Sequence, residues 1–301
     1  MIAHRALGKI MLLNFFFLAA VCGFGQTLYW ENPQILVPQG MSSSSSAVGR
    51  SLVALAWQEI KPRSPADRSN GDIYLSLAVS HNGLDWKQHP RFYPPIHYTS
   101  VSEGNEPRVY SMTVDSTDRI LVAVSVSDRD TVILQSVDEG ASFREVQRLH
   151  SAVPTGAPNL FPAAGGGFFL MVAQGSSREE VNAGTGSVTC ACSTSRNGRE
   201  WSSLSPFVTP ADKLGSPQLQ AAHVIMQGRD YVVFQSLTER SESTNTWQLY
   251  MKSSQDGGVT WDPALPISSR PGPFGDDPLG YNNERPRLAA VSGRISLVWE
   301  R

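Results

Sequence analysis

A glycine turn closed by an aromatic residue recurs four times in this chain, always in phase. The copies are Ser80-His81-Asn82-Gly83-Leu84-Asp85-Trp86, Ser136-Val137-Asp138-Glu139-Gly140-Ala141-Ser142-Phe143, Ser195-Arg196-Asn197-Gly198-Arg199-Glu200-Trp201 and Ser254-Gln255-Asp256-Gly257-Gly258-Val259-Thr260-Trp261. Their glycines at 83, 140, 198 and 258 stand 57, 58 and 60 residues apart. A fixed period of this size marks a repeated supersecondary unit. An alternating run precedes each turn: Asp72–Val79, Thr131–Gln135, Ser187–Ser193 and Trp247–Lys252. A more continuously apolar run precedes each of those: Ser51–Trp57, Ile120–Val126, Phe168–Ala173 and Tyr231–Leu237. β-Branched and aromatic residues bounded by Gly, Asn, Asp and Pro read as strands.

A proline-led start comes earlier still, as Pro107-Arg108-Val109, Pro158-Asn159-Leu160 and Pro217-Gln218-Leu219. A fifth copy begins at Pro286-Arg287-Leu288 and runs through Arg294–Glu300. Each unit is then an antiparallel meander of three strands plus a fourth. No stretch beyond the N-terminus shows a helical period. A sheet of this size cannot bury both faces by itself, and radial stacking of the units does so. The expected fold is an all-β propeller with four complete blades and a truncated fifth. A β-sandwich offers as many strands, but it does not require one turn signature in phase.

The turn residues read as scaffold. Ser and Asp side chains bond nearby backbone N–H groups, glycine supplies positive φ, and the aromatic packs into the blade. Asp138 and Asp256 are therefore structural carboxylates, not catalytic acids.

The turn resembles the Asp box, Ser-x-Asp-x-Gly-x-Thr-Trp, of the sialidase (neuraminidase) superfamily, also called BNR repeats. The fourth copy matches every specified position, the second carries Ser142 and Phe143 in place of Thr and Trp, and the first and third resemble the looser Asn-Gly variant. Leu55-Ala56-Trp57-Gln58-Glu59 with Gly71-Asp72-Ile73-Tyr74-Leu75-Ser76 is also similar to the strand pair of secreted bacterial BNR-repeat proteins. The resemblance covers 34–301. It implies six blades in a complete member, and an active site with three arginines on the substrate carboxylate, a Tyr nucleophile assisted by a Glu, and an Asp acid/base.

Composition narrows the partner. The formal net charge is −2, so no basic surface calls for nucleic acid. Residues 1–25 have the layout of a signal peptide: His4, Arg5 and Lys9 first, an apolar stretch from Ile10 to Val21, then Gly23-Phe24-Gly25. The mature domain is expected to be 26–301, secreted or in the cell envelope, without a transmembrane span. Cys22 follows Val21, a poor fit to a lipidation box. Cys190 and Cys192 fall two apart on one strand face, where an unstrained disulfide does not form. No metal-ligand cluster and no cofactor motif is present in the sequence.

Meander connections alternate between the two ends of a sheet. Strand-one starts and the loops between strands two and three share one face, and the glycine turns lie on the other. The first face gathers Arg108, Asn159, Gln218 and Arg287 in repeat-equivalent places, with Glu106 and Glu284 beside the two arginines. Arginine forks bind a carboxylate through two parallel hydrogen bonds. Arg108, Arg287, Glu106 and Glu284 are the expected substrate-binding residues. The Ile60–Gly71 segment, expected as a loop, contributes Arg63, Asp67 and Arg68. The resemblance implies catalytic roles for Asp67, with Asp72 as the alternative, and for Tyr281. Where it implies a first-blade arginine motif, the sequence reads Gly40-Met41-Ser42-Ser43. One missing fork costs on the order of 1.5–3 kcal/mol. The expectation is an exported glycan-binding or glycan-processing propeller for acidic sugars. A non-catalytic envelope scaffold and a truncated, nonfunctional paralogue are the alternatives.

Overall fold

The computed structural model describes residues 41–64, 67–98, 108–183, 187–212, 214, 218–241, 244–268 and 284–300. The expected signal peptide, Glu106 and Tyr281 lie outside them.

The strands fall in the expected order. Blade one holds β1 (Met41–Val48), β2 (Val53–Ser64), β3 (Asp67–Ser80) and β4 (Lys87–His89), with β5 (Ile96–Tyr98) paired to the other end of β3. Blade two is β6 (Tyr110–Val114), β7 (Ile120–Ser125), β8 (Asp130–Ser136) and β9 (Arg144–His150). Blade three is β10 (Asn159–Pro162), β11 (Phe168–Gln174), β12 (Thr189–Ser195) and β13 (Ser205–Pro206), with helix α1 (Arg178–Ala183) between β11 and β12. Blade four is β14 (Gln218–Met226), β15 (Arg229–Ser241), β16 (Thr244–Ser254) and β17 (Leu265–Pro266). The fifth sheet has two strands among the described residues, β18 (Glu284–Val291) and β19 (Arg294–Glu300). All pairings are antiparallel. The short α1 and a 3-10 turn at Pro210–Asp212 are additions to an otherwise all-β chain, too brief to leave a helical period in the sequence.

The core explains why the blades must stack. Its three apolar clusters each lie between neighbouring blades. The first joins Ala54, Ile73, Leu75 and Leu77 of blade one to Tyr110, Met112, Val122 and Val124 of blade two. The second joins Leu121, Ala123 and Ile133 to Phe168, Leu170 and Val172 of blade three. The third joins Phe169, Met171, Cys190 and Cys192 to Val232 and Phe234 of blade four. Residues 120–124 and 168–172 thus alternate between two neighbours, so both faces are buried and the run reads apolar throughout. Cys190 and Cys192 are two buried free thiols on one face. Burial pushes the Cys190 thiol far above its ordinary range.

Gly83, Gly140, Gly198 and Gly258 sit in equivalent turns after β3, β8, β12 and β16, all with positive φ. In every copy the serine hydroxyl accepts the glycine N–H: Ser80 from Gly83 at 2.9 Å, Ser136 from Gly140 at 2.8 Å, Ser195 from Gly198 at 2.9 Å and Ser254 from Gly258 at 2.9 Å. The carboxylates of Asp138 and Asp256 accept from Ser142 and Thr260. The Ser142 hydroxyl and N–H, with the Ser136 hydroxyl, bring the Asp138 carboxyl down to about 2. Both carboxylates are consumed by the turn.

Further bonds on this face join one blade to the next. The Ser51 N–H and hydroxyl donate to Asp118 at 3.0 and 2.6 Å. His81 bridges the Ser51 carbonyl and Glu139. The Ala164 N–H donates to Asp230, which also holds the buried His223 at 2.9 Å. Between blades three and four, Lys252 is buried and donates to the Phe207 carbonyl and to Asp212 at 2.9 and 2.8 Å. Burial disfavours the Asp212 anion, but Lys252 and the N–H groups of Thr209 and Ala264 outweigh it and hold the carboxyl below its usual range.

Candidate functional site

The face opposite the glycine turns carries the starts of β6, β10, β14 and β18 and the hairpin tips of each blade. Buried glutamines set the strand starts there. The Gln58 carbonyl of β2 accepts the Val109 N–H at 3.4 Å, and that of Gln235 in β15 accepts the Arg285 N–H at 3.1 Å. Both lie five residues past the residue that pairs with the turn serine, Val53 and Asp230 respectively. Sequence reasoning passed over this repeat. Its signal was a polar amide ending an apolar run, as Trp57-Gln58 and Phe234-Gln235.

These N–H bonds anchor the two chain starts that carry Arg108 and Arg287. The Arg108 Nε donates to the Tyr110 carbonyl at 3.0 Å, which bends the side chain back along β6. Arg287 Nη1 donates to the Pro286 carbonyl at 3.0 Å. Both side chains reach solvent. Protein nonetheless crowds Arg108 closely enough for burial to lower its pKa, and the like charge of Arg287 lowers it further. The two guanidinium groups, far apart in sequence, thus feel one another's charge at solvent-exposed positions. Among the described residues neither has an ion-pair partner.

Tyr110 lies fully buried beside Arg108, with a hydrogen bond to the Ser45 backbone. Burial pushes its phenol far above the ordinary range. Asn159 opens β10 and Gln218 opens β14, both in line with the starts of the other blades. Glu284 opens β18, opposite Glu300. Asp67 opens β3 near the tip of the β2–β3 hairpin, paired with Ser64. The segment expected as a loop is therefore largely a strand ladder, because Lys61 pairs with Asp72 and Pro62 with Gly71. Asp72 is engaged by His97 of β5 and Glu59 by Lys61 and Arg91.

A cavity of about 530 Å³ opens on the other face, lined by Val48, Val114, Pro162, Ile225 and the Gly165–Gly167 turn. Its one carboxylate, Asp115, is consumed by Thr117 and Arg119. No group of three potential metal ligands occurs among the described residues.

No protein-family model matches the chain, and no curated protein sequence matches it. Solved structures do. An alpha-L-arabinanase of Penicillium chrysogenum complexed with arabinobiose aligns with a TM-score of 0.52 and 13% identity over 88% of this chain and 94% of that one. An alpha-L-arabinofuranosidase of Fusarium graminearum with arabinobiose aligns with a TM-score of 0.52 and 15% identity over 86% of this chain and 74% of that one. The fold is a β-propeller. At this identity the likeness speaks for the fold alone, and neither neighbour is named a sialidase.

Proposed function

We propose that this chain is an exported propeller of the cell envelope or the exterior that binds acidic glycans at the face carrying Arg108 and Arg287. The observation that carries the reading is that these two exposed guanidinium groups stand at in-phase strand starts on one face and feel one another's charge. Like charges that have no ion-pair partner among the described residues suit an anionic ligand. A sugar carboxylate fits an arginine fork, and each charge-assisted bond contributes roughly 1.5–3 kcal/mol. The fold neighbours, whose structures hold arabinobiose, support a saccharide as the class of ligand. One feature argues against sialidase chemistry. The first blade opens with Met41 and serines where the resemblance implies an arginine.

The test is binding and turnover by the purified 26–301 chain. Sialyl and uronic-acid saccharides should bind, with little or no release of a fluorogenic aglycone from a sialoside. Arg108→Ala and Arg287→Ala should each weaken binding. Robust turnover abolished by either change would make the protein a sialidase. A folded chain that binds no acidic saccharide would leave an interaction scaffold.

A further inference from the structure

The innermost strands of three blades carry one extra residue each, at matching places. In blade one, Ser42 pairs with Gln58 and Ser45 with Ala56, so Ser43 and Ser44 oppose Trp57 alone. In blade five, Glu284 pairs with Glu300 and Arg287 with Val298, so Arg285 and Pro286 oppose Trp299 alone. In blade four, Leu219 pairs with Gln235 and Ala221 with Phe234, which leaves Gln220 as the extra residue. Each bulge thus faces an aromatic residue followed by a glutamine or glutamate: Trp57-Gln58, Phe234-Gln235 and Trp299-Glu300. Trp57 and Phe234 stand four residues past Val53 and Asp230, which pair with the turn serines. Blade two has Val124 at that distance from Ile120, and its ladder from Tyr110 to Val114 is regular. A bulge bends the strand that carries it and re-aims the side chains around it.

The bulge of blade five is held from two sides. Arg285 has a left-handed φ of +51°. A residue other than glycine keeps such a backbone only where its surroundings hold it. Its N–H donates to the buried Gln235 carbonyl across the seam with blade four, at 3.1 Å. Its guanidinium donates to the Glu300 carboxylate of the neighbouring strand at 2.7 Å. Pro286, the next residue, is buried, and its carbonyl accepts from Arg287 Nη1 at 3.0 Å. The bonds therefore run from Gln235 and Glu300, through the bulge, to the guanidinium of Arg287. Without the extra residue, every group ahead of Arg287 in the strand would reverse its direction.

We propose that Gln235 and Glu300 are positioning residues for Arg287, holding the Arg285–Pro286 bulge that aims its guanidinium at the ligand. This rests on the acidic-glycan reading above and assigns the parts that set one of its two cations. A side chain of blade four thereby decides how blade five meets a carboxylate. Arg108 is set from a different seam, through Gln58 and the Val109 N–H, and β6 has no bulge. The two cations are therefore tuned separately, each by its own neighbouring blade.

The experiment is a set of double-mutant cycles on the 26–301 chain, read by calorimetry with galacturonic acid. Gln235→Leu should weaken binding about tenfold, the worth of one charge-assisted bond. Gln235→Glu keeps an acceptor for the Arg285 N–H and should bind more tightly than Gln235→Leu. The Glu300 side chain is 62% exposed, so Glu300→Ala spares the fold. It should weaken binding by a smaller factor, about threefold. Neither Gln235→Leu nor Glu300→Ala should weaken binding further once Arg287→Ala is in place, whereas both should act in full beside Arg108→Ala. A positioning role acts through Arg287 alone, and a general loosening of the fold would act in both backgrounds. Losses that add to that of Arg287→Ala would therefore overturn the proposal, as would unchanged affinity in both single variants. A Gln235→Glu chain that binds no better than Gln235→Leu would also overturn it, by assigning Gln235 to packing. Absence of any galacturonic acid binding by the unaltered chain would instead remove the acidic-glycan reading, and this assignment with it.

Discussion

The two faces of this propeller are built by opposite rules. On the glycine-turn face, the serine, carboxylate or amide, and glycine of each copy bond one another, and Asp118, His81 and Asp230 tie that face across blades. On the other face the loops differ from blade to blade, and Arg108 and Arg287 lack ion-pair partners among the described residues. Groups bonded within the repeat have little capacity left for a ligand. Groups that break the repeat retain theirs. Carboxylates on the first face therefore report on folding, and cations on the second report on binding.

The sharpest way to break this contrast lies inside the repeat. Gly140→Ala should cost about 2–3 kcal/mol in urea unfolding, because its φ is +81° and the added Cβ would stand 2.3 Å from the Leu77 side chain. The equivalent Gly83→Ala keeps a strained φ of +75° but meets nothing within 4 Å, so about 1 kcal/mol is expected. Equal costs would mean that the turn, and not its packing on the neighbouring blade, sets the penalty. On the other face, Arg108→Ala should weaken a uronic acid ligand by roughly 1.5–3 kcal/mol in titration. It should leave the thermal midpoint unchanged or slightly higher, since it removes a like charge from Arg287. A large fall in the midpoint would assign Arg108 to the scaffold.

A smaller effect is expected for Asp118→Ala, which removes the carboxylate bonded to Ser51 across blades. About 1 kcal/mol should be lost, with saccharide affinity unaffected. The smallest effect is a pH dependence at His81, whose pKa is raised first by the Ser51 carbonyl and then by Glu139. A folded-state pKa above the unfolded one contributes stability that is fully present below about pH 6.5 and is lost as pH rises through the folded value. The difference between the chain and His81→Ala should thus shrink on going from mildly acidic to alkaline buffer. A difference that grows would reverse the assignment.

How much was legible in the sequence follows the same division. The glycine turns are local, so Ser136, Asp138 and Gly140 announce their geometry within a few residues, and the blade order follows from their period. Arg108 and Arg287 were legible as a pair because the proline-led starts are in phase. Gln58 and Gln235 were not, because their importance lies in an N–H donated by the next blade, about fifty residues away. The Lys61–Asp72 ladder was hidden too. Its prolines and charges read as loop, and only the register of β2 with β3 makes it a ladder.

The buried Lys252 has a consequence for the order in which the chain is made. Asp212 lies forty residues ahead of it and follows the outer strand of blade three. A ribosome delivers Asp212 first, together with the Phe207 carbonyl that Lys252 will also take. Until blade four emerges, that carboxylate has to stay in water, since an unpaired charge is not buried. The edge of blade three therefore remains unsealed through the synthesis of most of its neighbour. Without blade four, the apolar residues Phe169, Met171 and Phe207 lack the cover that Val232 and Phe234 give them.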